Sequence, residues 1–62
     1  MIKFWTKYGN DKVTVEQDGN ALRVVRYAND ERLYTAAIYH VSQPLQAITF
    51  ACTLMLGLKG AF

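Results

Sequence analysis

Sixty-two residues with a net charge of +2 make one small domain, 1–62, with too little charge to demand a nucleic-acid partner. A hydrophobic fraction of 52% excludes intrinsic disorder. Cys52 and His40 are the only residues of their types, so one chain can form neither an internal disulfide nor a four-ligand zinc site. Small chains without such reinforcement usually gain stability from oligomerisation or from a partner.

The first forty residues read as a β-meander. Gly9-Asn10-Asp11, Asp18-Gly19-Asn20 and Asn29-Asp30 are turn sequences, and the segments between them are rich in Val, Tyr, Trp, Thr and Ile. A loop at Gly9-Asn10 sets Phe4 opposite Val15 and Thr6 opposite Val13. A two-residue loop at Asp18-Gly19 sets Val15 opposite Leu22, Val13 opposite Val24 and Thr14 opposite Arg23. A loop at Asn29-Asp30 sets Val24 opposite Thr35 and Leu22 opposite Ala37. Opposed residues share a face in an antiparallel pair. The three turns therefore predict one apolar face holding Ile2, Phe4, Val13, Val15, Leu22, Val24, Leu33, Ala37 and Tyr39. Residues 32–40 also resemble a capped helix, which gives an alternative of three strands followed by two helices. The β-branched and aromatic residues favour a fourth strand.

The pattern changes at Ser42-Gln43-Pro44. Ser42 is the expected N-cap of a helix over 43–58, with Pro44 in its first turn and Gly57 or Gly60 ending it. The sequence thus predicts an α+β fold in which a four-stranded antiparallel meander carries one C-terminal helix on its apolar face. Leu45, Ile48, Cys52, Met55 and Leu56 form one helical stripe, and Ala47, Ala51, Leu54 and Leu58 form a second. The polar strip is Gln43, Gln46, Thr49 and Thr53, with Phe50 beside it. A small sheet covers one stripe, so the second is expected to mediate self-association as a homo-oligomer, the small Ala47 and Ala51 allowing close helix approach.

The other sheet face is expected to show Lys3, Trp5, Lys7, Lys12, Thr14, Glu16, Arg23, Val25, Tyr27, Arg32, Tyr34, Ile38 and His40. Of these, Lys3, Trp5, Lys7, Arg23, Tyr27, Arg32 and Tyr34 are the expected partner-binding set. Trp, Tyr and Arg are the commonest anchors of protein interfaces. The same mixture of cations and aromatics suits single-stranded nucleic acid, a less favoured partner because the chain has no RNA-recognition fingerprint and no helix–turn–helix pattern.

No catalytic constellation is visible. His40 and Cys52 are candidates for a base and a nucleophile, but Cys52 falls mid-helix in an apolar stripe and reads as a small buried hydrophobe. The acids Asp11, Asp18, Asp30 and Glu31 fall in turns, and there is no phosphate-binding glycine loop. No cofactor, metal or enzyme activity is expected. Met1 to Trp5 lead into polar residues, unlike a signal peptide, and the uncharged run from Val41 stops at Lys59, short of a membrane span. The expectation is a cytoplasmic, non-enzymatic module that binds and regulates or inhibits a larger protein, a size class that includes phage proteins.

Overall fold

The computed structural model describes residues 2–60. Four strands, β1 (Ile2–Tyr8), β2 (Asp11–Asp18), β3 (Ala21–Ala28) and β4 (Glu31–His40), form one antiparallel sheet in the order β1-β2-β3-β4. The helix α1 (Pro44–Leu58) follows and packs on one face. The expected α+β meander with a C-terminal helix is the observed fold, and residues 31–40 are strand.

Each hairpin closes with two residues. Gly9 and Gly19 have φ of 60° and 61°, while Asn10 and Asn20 that follow them are not left-handed, the signature of a type II′ turn. Asn29 and Asp30 are both left-handed, at 54° and 65°, as a type I′ turn requires. The second loop is therefore Gly19-Asn20 and not Asp18-Gly19. Asp18 pairs with Ala21, Val15 with Val24, and Gln17 with Leu22. Glycine takes the first loop position because only there does a II′ turn need positive φ. Moving the loop by one residue shifts the pairing by two, and a shift of two keeps every side chain on its expected face.

Bulges alter the faces of the outer strands. β4 has ten residues against eight in β3, and the pairing shifts twice, passing over Leu33 and Ala36. The first shift turns Tyr34 to the helix side, opposite Arg26, and leaves Leu33 exposed instead of in the core. The second returns Ile38 and His40 to the outer face and sets Val24 opposite Ala37 and Leu22 opposite Tyr39. In β1 a similar shift passes over Lys3, so Ile2 pairs with Glu16 on the outer face and leaves the expected core set.

The core between sheet and helix consists of Val13, Val15, Leu22, Val24, Ala47, Ala51 and Met55. Phe4, Ala37, Tyr39, Ile48, Phe50, Leu54 and Leu58 pack around it. A tight turn positions the helix: Gln43 N–H donates to the His40 carbonyl (2.9 Å), and His40 N–H donates to Gln43 Oε1 (3.3 Å). Gln43, not Ser42, is the N-cap residue, and among the described residues no side chain caps the helix. Pro44 at the first helical position removes one of the amides a cap would otherwise satisfy. The helix ends at Lys59 and Gly60, whose φ of 74° takes the chain out of helical geometry. No helix among the described residues is long and apolar enough to cross a membrane.

Candidate interaction surface

The sheet face away from the helix is organised around Glu16. Tyr27 Oη donates to Glu16 Oε2 at 2.6 Å and Thr14 Oγ1 donates to the same oxygen at 2.7 Å. Arg32 Nη1 lies 3.6 Å from Oε1. Tyr27 stands opposite Lys12, four residues along β2 from Glu16, so phenol and carboxylate meet by lying over the intervening row. That row is Thr14 and Val25, both 0% exposed although no second layer covers this face among the described residues. Burial alone would raise the Glu16 carboxyl, but the hydrogen bonds from Tyr27 and Thr14 and the charge of Arg32 outweigh it and hold the group below its ordinary value. The same hydrogen bond, with burial, holds the Tyr27 phenol above its own.

Of the residues expected to bind a partner, Trp5, Lys7, Arg23, Tyr27 and Arg32 do share the outer face. Three of them are engaged within the chain. Arg23 pairs with Asp18 at 3.1 Å, and Tyr27 and Arg32 serve Glu16. Tyr34 and Lys3 do not belong to the group. Tyr34 lies on the helix side, its ring 5.9 Å from the Arg26 guanidinium, which also meets Asp11 at 3.4 Å. Lys3 lines a slot on the helix side with Leu22, Pro44 and Ile48. Both displacements follow from the bulges described above.

What remains available is a hollow of about 290 Å³ on the outer side of β1 and β2, lined by Ile2, Trp5, Lys7, Lys12 and Thr14. Trp5 is 61% exposed and Ile2 53%. Lys7 and Lys12 make no ion pair among the described residues, and Lys12 Nζ sits 4.8 Å from the Tyr27 ring centroid. Strict alternation assigns Ile2 to the core, and the β1 bulge moves it to this face.

The docking face of the helix draws on both expected stripes, with Met55 and Ile48 of the first packing on the sheet together with Ala47 and Ala51 of the second. Ala47 and Ala51 are 0% exposed against the sheet, and Leu54 and Leu58 are half-buried beside them. The stripe expected to mediate self-association is thus part of the docking face, because small side chains let the helix axis settle close to the strands. Leu45, Thr49, Cys52 and Leu56 face outward instead, with Leu45 76% exposed. Cys52 is therefore an exposed thiol and not a core residue. Between the helix and β4 runs a groove of about 480 Å³ lined by Tyr39, Leu45, Gln46, Thr49, Phe50 and Thr53, with the Tyr39 and Phe50 rings 6.3 Å apart.

His40 and Ser42 touch, Nδ1 to Oγ at 2.8 Å, and the Ser42 amide also donates to Nδ1 at 3.1 Å. The neutral ring therefore accepts at Nδ1 and carries its proton on Nε2. Among the described residues no carboxylate is hydrogen-bonded to the ring, and the contact between these two exposed residues holds the turn after β4 together. Among the described residues no group of three or more His, Cys, Asp or Glu could hold a metal ion. Comparison with protein-family models, with curated proteins and with solved structures found no match.

Proposed function

We propose that the chain is a non-enzymatic protein-binding module that regulates or inhibits a larger protein partner through the outer face of β1 and β2. The exposed Trp5, beside Ile2 and flanked by Lys7 and Lys12, which make no ion pair among the described residues, carries this reading. A large rigid aromatic in a shallow hollow is the usual anchor of a protein interface, and the lysines at its rim favour a partner with acidic residues there. The rest of the face supports protein over nucleic acid. Its arginines are already paired with Asp18 and Glu16, and a carboxylate at the centre of the face repels phosphate. An exposed single thiol suits a reducing cytoplasm.

Trp5 is the only tryptophan, so its fluorescence reports on this site alone. Tagged protein used for capture from its native cell at low salt should retain one protein whether or not nuclease is added. That protein, once purified, should shift the Trp5 emission to the blue. Trp5→Ala should weaken binding by about 2 kcal/mol or more, roughly thirtyfold, without changing the melting temperature. Loss of the captured partner on nuclease treatment, with affinity falling steeply as salt rises, would instead mark a nucleic-acid binder.

A further inference from the structure

Among the described residues both lateral strands are open, since β1 and β4 each pair on one side only. Unpaired strand edges invite further strands, and proteins commonly set lysines there to prevent it. The two edges differ in this respect. β1 carries Lys3 and Lys7, and Lys59 from the helix end lies 5.3 Å from the Tyr8 ring. β4 has charged residues only at its start, Glu31 and Arg32, and ends in His40, with none between 33 and 39. Ile38, on that stretch, is 64% exposed. The groove between β4 and the helix has no charged lining residue either.

We propose that the β4 edge joins two copies of this chain, the β4 strands running antiparallel across a two-fold axis normal to the sheet. The product is one eight-stranded sheet with both helices on the same side. Its symmetry decides between a second copy and the other ways these edges could pair. Joining β1 to β1 would bring lysines against lysines. Joining β1 to β4 would leave one edge of each kind free and would grow into an open filament. Joining β4 to β4 uses up both lysine-free edges, over the part of β4 beyond its bulges, and leaves only lysine-bearing β1 strands outside. The bulges at Leu33 and Ala36 break the regular ladder, so Ala37–His40, beside the groove, is where pairing centres. An axis at Ile38 sets the two Ile38 side chains against each other on the outer face. On the helix side it sets Ala37 opposite Tyr39 of the second copy, small against large. The surface is separate from the Trp5 hollow, so either assignment can fail without the other.

Sedimentation equilibrium from micromolar to hundreds of micromolar tests this. The wild type should fit a monomer–dimer equilibrium. Ile38→Lys, which sets two lysines face to face at the axis, should raise the dissociation constant at least tenfold. Trp5→Ala and Leu56→Lys should leave it unchanged. Amide hydrogen exchange on the wild type is a second reading that needs no variant: protection of Ala37–His40 should rise with protein concentration while β1 amides do not change. A monomer over the whole range, species larger than a dimer, or dissociation by Leu56→Lys with Ile38→Lys intact would each overturn the proposal.

Discussion

Glu16 gathers donors from three strands: Thr14 on its own, Tyr27 on β3 and Arg32 on β4. The network ties three strands together on the outer face, and stability should depend on pH at both ends. The Glu16 pKa is lowered by folding, so its contribution is complete above the ordinary 4.5 and is lost as pH falls through the folded value. The Tyr27 pKa is raised by folding, so its contribution is complete below the ordinary 10.0 and is lost as pH rises through the folded value. Tyr27→Phe removes the shorter of the two hydrogen bonds to Oε2 and should cost about 1–2 kcal/mol at neutral pH in urea denaturation. The variant should also lose less stability than the wild type on acidification, because its carboxylate is held less tightly, and it should lack the alkaline loss. Acid and alkaline limbs parallel to those of the wild type would remove the network from any account of stability.

At the scale of the element, the hairpin turns separate backbone preference from packing. An added Cβ at Gly19 would meet nothing within 4 Å, so the cost of Gly19→Ala is conformational, about 1–2 kcal/mol at a left-handed position. Asp30 is a non-glycine residue at φ 65° in a type I′ turn that prefers glycine there. Asp30→Gly should therefore stabilise, by about 0.5 kcal/mol. Thermal melts should move in opposite directions for the two variants. Destabilisation by both would mean that the loops are held by contacts and not by φ. The same turns explain how much of the sheet is legible in the sequence. Val13, Val15, Leu22 and Val24 are identified as core even with the second loop placed one residue early, because the error in pairing is even. A single bulge is an odd error, and it moves residues to the other face. Ile2, Lys3, Leu33 and Tyr34 are the residues displaced, and the sequence carries no glycine or proline at these bulges to announce them. Two of the expected binding residues leave the outer face for this reason, while Trp5 and Lys7 stay, lying between the bulge and the Gly9-Asn10 turn that sets their register.

For the molecule as a whole, the remaining freedom is the rotation of the helix on the sheet. Leu45–Leu58 is apolar on nearly every side, so hydrophobic periodicity does not choose a docking face. Size chooses it. A helix that lays Ala47, Ala51 and Met55 on the valines of β2 and β3 has small side chains at the contact and can approach the sheet more closely than one resting on Leu45, Cys52 and Leu56. The consequence is a testable inversion. Ala51→Leu forces a larger side chain into a site with no exposure and should cost about 1–3 kcal/mol by overpacking. Leu45→Ala truncates a side chain that is 76% exposed and should change stability by no more than about 0.5 kcal/mol. A helix resting on its leucine stripe predicts the reverse order, because Leu45 would then be buried and its truncation would leave a cavity, at a cost of about 2–5 kcal/mol. Chemical denaturation of the two variants beside the wild type decides which stripe faces the sheet. That result in turn fixes whether Leu45 and Phe50 line an open groove beside β4 or are lost to the interior.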